Sequence, residues 1–101
     1  MKKLFVVTSD PTTTEQDRAF YEWFEPRLNW WHWLGQTWLF VDEAGEYSSQ
    51  TIRDEFSKSC PGVHVMVIEI TGDNTWYGFG PRSATDETKN MFTWLQENWR
   101  I

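Results

Sequence analysis

The fold is decided by one stretch of the chain, Asn29-Trp30-Trp31-His32-Trp33-Leu34-Gly35-Gln36-Thr37-Trp38-Leu39-Phe40-Val41-Asp42. Two runs rich in aromatic and β-branched residues flank Gly35-Gln36, and a two-residue connection that begins with glycine is typical of a tight hairpin of the type II′ kind. The stretch therefore predicts two antiparallel strands. Because successive side chains point to opposite faces of a sheet, both faces of the first strand carry bulky side chains.

The residues before this hairpin predict a strand and a helix. Residues 4–7 are a continuous apolar run with two valines, which is typical of a central strand buried on both faces. Thr13 then offers a helix cap, and Gln16 follows three residues later as its capping-box partner. We expect this helix to end near Arg27, because Pro26 distorts its last turn.

The residues after the hairpin predict a second helix, a strong strand and a C-terminal helix. The second helix spans about residues 48–59 and begins at a capping serine. Residues 63–70 are the strongest strand of the chain, and residues 75–81 predict an extra short strand. Thr85 caps the final helix, whose core-facing stripe is Met91, Phe92, Leu95 and Trp99.

This order of elements predicts the fold class. Strand, helix, strand, strand, helix, strand is the ferredoxin-like βαββαβ arrangement, so we expect an α+β sandwich of that type with an extra short strand and a C-terminal helix. A length of 101 residues accommodates one domain, residues 1–101. The two main helices cover one face of the sheet, which leaves the other face for a ligand or a partner subunit unless the terminal helix folds across it.

Charge and cysteine content exclude several functions. Nine basic and fifteen acidic residues give a net charge of −6, so binding to long duplex DNA is disfavoured. The single Cys60 has no partner for an intramolecular disulfide, which fits a packing role in a reducing compartment. Because no apolar run approaches the length of a membrane span, we expect a cytoplasmic protein that does not bind membranes.

Tryptophan is the unusual component of the chain, with eight residues among 18% aromatics. Flat rings on a sheet stack nucleobases at about 1–3 kcal/mol each, so the aromatic surface predicts a nucleotide-type ligand, with Arg27, Arg53 or Arg82 as local counter-charges. An alternative use of the same rings is to fill a homodimer interface. The residues predicted to form the binding surface are Trp30, Trp31, His32, Trp33, Trp38, Trp76, Tyr77 and Arg82.

The opening strand and the hairpin also resemble a known group of proteins. Residues 4–10 followed by a helix and by Trp31-His32-Trp33-Leu34 and Thr37-Trp38-Leu39 resemble the small SinR-like proteins and, more distantly, the Cas2 and VapD group of ferredoxin-like dimers. The resemblance spans residues 4–70. In Cas2-like proteins an acidic residue at the end of the first strand is associated with a divalent metal at the dimer interface, and Asp10 occupies the matching position.

Asp10 therefore has two interpretations. As a metal ligand it would hold Mg²⁺ together with a second copy of the chain, which predicts a metal-dependent nuclease. As part of Asp10-Pro11 it is a turn and helix-entry signal that needs no metal or other cofactor. His64, inside the strongest strand, is interpreted as structural, and Asp42 is placed in a solvated loop.

These observations favour a binding protein over an enzyme. We expect a non-enzymatic homodimer or higher oligomer that binds or sequesters a nucleotide-type small molecule on its aromatic surface. By analogy with small acidic proteins of phage-like mobile elements, the predicted role is that of an accessory or inhibitor protein. The alternatives are a Cas2-like nuclease that uses Asp10 and a protein–protein interaction module without a small ligand.

Overall fold

The described residues fold as a four-stranded antiparallel sheet with three helices. The computed structural model describes residues 1–71, 75–77 and 92–100. Its elements in chain order are β1 (Lys3–Ser9), α1 (Thr14–Phe24), β2 (Asn29–Leu34), β3 (Thr37–Asp42), α2 (Ser49–Ser59), β4 (Val65–Ile70) and α3 (Thr93–Asn98). The strand order is β2-β3-β1-β4. The predicted α+β class is confirmed, whereas the finer ferredoxin-like arrangement stays a prediction.

Strand β1 lies inside the sheet, as its apolar run indicates. It pairs with β3 on one side, where Phe5 faces Phe40, and with β4 on the other, where Val7 faces Val67. Leu4, Phe5 and Val7 are fully buried because both faces of this strand are covered. The predicted central position of residues 4–7 is confirmed.

Helices α1 and α2 cover the first face of the sheet. Their apolar stripes, with Phe20 on α1 and Phe56 on α2, pack on Phe5 and Phe40. Thr13 and Gln16 form the predicted capping box at the start of α1. The α-helix ends at Phe24, three residues before the predicted end.

Helix α3 packs on the second face. Its Leu95, together with Trp99, contacts a cluster that contains Leu4, Trp31 and Val41. The C-terminal helix is thereby confirmed over Thr93–Asn98, while its predicted start at Thr85 lies outside the described residues. No strand forms at residues 75–77 of the predicted extra strand, and residues 78–81 lie outside the described residues.

Strand β4, the strongest strand in the sequence, lies at an edge of the described sheet. It begins at Val65 and pairs with β1 alone. Met66 is 54% exposed and Ile68 is 42% exposed. Both face the second side of the sheet, because they pair with Thr8 and Val6 of β1. No helix within residues 1–71, 75–77 and 92–100 is both long and apolar enough to cross a membrane.

Candidate functional site: the β2–β3 hairpin

The hairpin holds the His32 ring in one orientation. The imidazole stacks on the indole of Trp38 with the ring centroids 4.2 Å apart and the planes 6° from parallel. Its Nδ1 lies 2.8 Å from the Thr37 carbonyl oxygen. A carbonyl oxygen can only accept, so Nδ1 carries the proton of the neutral ring and Nε2 remains a hydrogen-bond acceptor.

The local backbone explains why His32 meets Trp38. Trp31 pairs with Leu39 and Leu34 pairs with Thr37, so the register shifts by one residue between Trp31 and Leu34. This irregularity sets two residues of β2 opposite Trp38, and His32 is the one that stacks on it.

Trp38 is a rigid support for this ring. It is 1% exposed and makes edge-to-face contacts with Phe20 and Phe56, at centroid distances of 5.5 and 5.7 Å. A ring that is packed this way cannot turn without opening the core between the sheet and the two main helices. We call the imidazole of His32, with Trp38 beneath it and Nδ1 bonded to Thr37, the His32 platform.

Two features of the His32 platform bear on a planar ligand, one face of the imidazole and its Nε2. One face of the imidazole lies on Trp38, and no second aromatic ring packs on the opposite face within the described part of the chain. A planar ligand on that face would continue the stack, and its amino group could donate to Nε2. The next residue of β2, Trp33, is 45% exposed.

The predicted aromatic surface is divided between the two faces of the sheet. Trp38 is buried under the two main helices, and Trp31 is 4% exposed within the cluster on the second face. These two indoles supply core contacts and leave no ring face for a ligand. Trp30 is half-buried against Tyr21 and Phe24, with centroids 5.5 and 5.6 Å away.

The remaining predicted residues lie elsewhere. Trp76 stacks on Phe92 in the second cluster, at 5.6 Å, and Tyr77 is 99% exposed. Arg82 lies outside the described residues. Of the predicted set, His32 and Trp33 are consecutive residues of the hairpin, one half-buried and the other exposed, whereas Trp76 belongs to the cluster on the second face.

The two described candidate counter-charges already have partners. Arg27 donates to the Trp23 carbonyl oxygen at 2.6 Å and lies over the Trp23 ring at 5.5 Å. Arg53 pairs with its neighbour Asp54 at 2.7 Å. Both described guanidinium groups are therefore engaged by neighbouring residues of the chain.

A second group of polar side chains lies where β1 and β4 meet. His64 Nδ1 and Asp10 Oδ2 are 3.0 Å apart, and the backbone N–H of Asp10 donates to the His64 carbonyl oxygen at 3.0 Å. The two side chains line a shallow depression of about 300 Å³ together with Thr8, Ser9, Val65 and Met66. Asp10 and His64 share no sequence motif, but the antiparallel pairing of β1 with β4 places the end of β1 beside the start of β4 and so brings them together.

A metal ion would find few ligands at this depression. The described residues contain no group of three or more His, Cys, Asp or Glu side chains placed to hold a metal ion. Asp10 contributes one carboxylate, and His64 already contacts one of its oxygens. One chain alone thus does not provide the oxygen-rich shell that Mg²⁺ prefers.

Two further residues act within the fold. Asp42, expected in a solvated loop, is 3% exposed and accepts hydrogen bonds from the backbone N–H groups of Gly45 and Tyr47 at 3.0 and 2.7 Å, so that expectation is wrong. Cys60 is 1% exposed, and its thiol lies 3.8 Å from the Gln16 carbonyl oxygen. Burial, and to a smaller degree the charge of Asp17, raises the pKa of the Cys60 thiol, which keeps it in the less nucleophilic protonated form.

Comparison of the chain with protein-family models, with curated proteins and with solved structures finds no match. The resemblance to the SinR-like and Cas2-VapD-like proteins rests on the residues quoted for it and stays a prediction. Functional conclusions therefore depend on the geometry of the two sites described above.

Proposed function

We propose that this chain is a non-enzymatic binding protein that takes a nucleotide-type small molecule through its base. The observation that carries the proposal is the His32 platform, in which a fixed ring offers one face and one acceptor nitrogen. Preorganisation of this kind lowers the cost of binding, because the ring loses no further rotational freedom when a ligand stacks on it.

The charge of the chain supports a small ligand. A net charge of −6 repels a long polyanion, and Arg27 and Arg53 are engaged within the protein. A nucleobase needs no counter-charge, and each stacked base is worth about 1–3 kcal/mol. We therefore expect a nucleoside or mononucleotide to bind more tightly than a more highly phosphorylated form of the same base.

A ferredoxin-like arrangement is part of the same proposal. In the order β2-β3-β1-β4, strand β3 separates β1 from β2, and strand β1 separates β3 from β4. Two interleaved split βαβ units would give this order. It supports the ferredoxin-like interpretation of the fold, in which the hairpin supplies the two strands at one end of the sheet.

The test is a thermal scan with a panel of nucleobases, nucleosides and nucleotides. A ligand at ten times its Kd stabilises the folded state by about 1.4 kcal/mol, which raises the melting temperature of a domain of this size by roughly 6–11 °C. We expect His32→Ala to abolish this rise. His64→Ala is the matched control, because it removes the chain's other histidine, and it should keep the rise.

Two results contradict the proposal. One is a melting temperature that no member of the panel changes at millimolar concentration. The other is a rise that His32→Ala leaves intact, which would place the ligand elsewhere on the protein. Fluorescence quenching of Trp33, measured against Trp33→Phe, reports independently whether the ligand lies beside the hairpin.

A second candidate function is a nuclease that uses Asp10. The contact between Asp10 and His64 favours it, because a carboxylate that orients an imidazole through Nδ1 leaves Nε2 as a possible general base. The test is incubation of labelled RNA and DNA with Mg²⁺ or Mn²⁺. Cleavage that Asp10→Asn and His64→Gln both abolish, and that His32→Ala does not, would replace the binding function by this one.

A further inference from the structure

The outer edge of β4 has the features of a pairing surface. Its inner edge pairs with β1 over all six residues without a register shift, and its outer edge pairs with no strand in the part of the chain that the structure describes. Exposed edges are normally protected by lysine, proline or a bulge. Strand β4 has none of these, and Glu69 is its only charged residue.

The opposite edge of the sheet is protected. Strand β2 carries the register shift between Trp31 and Leu34, which bends the edge away from a regular ladder. It also carries the polar side chains of Asn29 and His32, and Asn29 is bonded to Asn98 and Trp94. The two edges therefore differ in the features that decide whether a further strand can add.

We propose that β4 pairs antiparallel with β4 of a second copy of this chain about a twofold axis at Val67. An axis of this kind leaves corresponding faces of the two sheets on the same side. Directly opposite side chains of antiparallel strands share a face, so each residue pairs with one an even number of positions away, and the axis passes through a residue. With the axis at Val67, Met66 lies opposite Ile68 of the second copy, and Ile68 lies opposite Met66. The two exposed apolar side chains of β4 cover each other.

Charge disfavours the axis at Ile68, and an axis at Met66 would set the apolar Ile68 opposite His64 instead of Met66. With the axis at Val67, Glu69 lies opposite Val65 of the second copy, and the two Glu69 carboxylates are four positions apart. With the axis at Ile68, Glu69 lies opposite Val67, and the two carboxylates become diagonal neighbours, about 7–8 Å apart. Between two chains of net charge −6, this repulsion favours the axis at Val67.

The pairing gives about four to six backbone hydrogen bonds between the copies and extends the sheet to eight strands. It also has a consequence for Asp10, which is bonded to His64 at the start of β4. His64 lies three positions from the axis, so the two His64 residues of the dimer are about 20 Å apart. A metal ion shared by two Asp10 carboxylates is incompatible with this dimer.

The test is sedimentation equilibrium of the full chain over a concentration series from the low micromolar range upward. We expect the wild-type protein to dimerise, and Met66→Lys combined with Ile68→Lys to weaken the dimer at least about tenfold, because lysines of the two copies then face each other. This change adds two positive charges to an acidic chain, so long-range repulsion between copies falls and cannot explain the loss. Circular dichroism verifies that the variant is folded.

Two further variants make the test specific. Met66→Lys combined with Ile68→Glu restores opposite charges across the interface in the proposed register, so it should dimerise again, whereas an axis at Ile68 would set the two introduced glutamates against each other. Leu34→Lys, at a side chain 50% exposed on the opposite edge, should leave the dimer unchanged. A wild-type chain that stays monomeric, a dimer that the double lysine variant retains, or a dimer that Leu34→Lys disrupts would overturn the proposal.

Discussion

Replacing Asp42 by alanine removes the side chain that organises the loop between β3 and α2. Its two carboxylate oxygens accept one hydrogen bond each, from the backbone N–H of Gly45 and from that of Tyr47. Tyr47 in turn packs against the core of the first face and lies 5.7 Å from Trp23, edge to face. Loss of Asp42 therefore loosens a loop that seals the core.

The magnitude follows from the two bonds. A hydrogen bond to a charged group contributes about 1.5–3 kcal/mol. The Gly45 N–H keeps the Asp42 backbone carbonyl oxygen, at 3.3 Å, as a second acceptor, so the total for the two bonds falls near the lower end of its range. We expect Asp42→Ala to lower the free energy of unfolding by about 3–4 kcal/mol. Asp42→Asn keeps one acceptor oxygen and turns an NH₂ toward the other donor. It should therefore lower the free energy of unfolding by about half as much as Asp42→Ala.

Urea unfolding followed by tryptophan fluorescence measures these differences at constant m-value. Glu43→Ala is the control, because it removes the neighbouring carboxylate, which is exposed, and it should change stability by less than about 0.5 kcal/mol. A stability of Asp42→Ala within that margin of the wild type would mean that the loop does not need the carboxylate. Asp42→Asn as destabilising as Asp42→Ala would show that the negative charge, rather than the number of acceptors, matters.

Three other predictions concern the fold. Cys60 should not react with a thiol reagent at neutral pH until the protein is denatured. Its pKa is raised in the folded state, so above about pH 9 the thiol ionises more readily in the unfolded chain, and the wild type should lose stability relative to Cys60→Ala. Thr13→Ala should cost about 1 kcal/mol in urea unfolding through loss of the helix cap, and Thr14→Ala, one residue further, should cost less. Gly45→Ala should lower the free energy of unfolding by about 1–2 kcal/mol, because Gly45 has a φ of 70° that alanine adopts only with strain. The added Cβ would also lie 2.0 Å from the Met1 carbonyl oxygen, so the exposed Met1 must shift. An unchanged free energy of unfolding would contradict this prediction.

Local patterns predicted much of the fold. The two strands of the hairpin follow from a glycine-containing pair between two aromatic runs, and the start of α1 follows from the spacing of Thr13 and Gln16, because both signals act between near neighbours in sequence. The predicted type II′ turn is wrong, because that turn needs a positive φ at Gly35 and Gly35 has none. The composition of β4 does not predict its position in the sheet. A run of β-branched residues indicates a strand, but only its partners decide whether that strand lies inside the sheet or at an edge.

The candidate sites depended on distant contacts. His32 was predicted on the hairpin, yet its stack on Trp38 arises from a register shift that no residue pattern announces. Asp10 and His64 are 54 residues apart and meet because β1 pairs with β4. The aromatic residues were treated as one surface, although the alternation of side chains along β2 and β3 sends Trp31 and Trp38 to opposite faces.

Nuclear magnetic resonance of the imidazole measures whether a planar base binds at the His32 platform. Titration of the folded protein with the tightest nucleoside of the panel should shift the ring resonances of His32 and the indole N–H of Trp33, with His32 remaining the Nδ1–H tautomer. The resonances of His64 should not change. Shifts confined to His64 and Asp10, or no shifts at millimolar nucleoside, would mean that His32 does not bind a base.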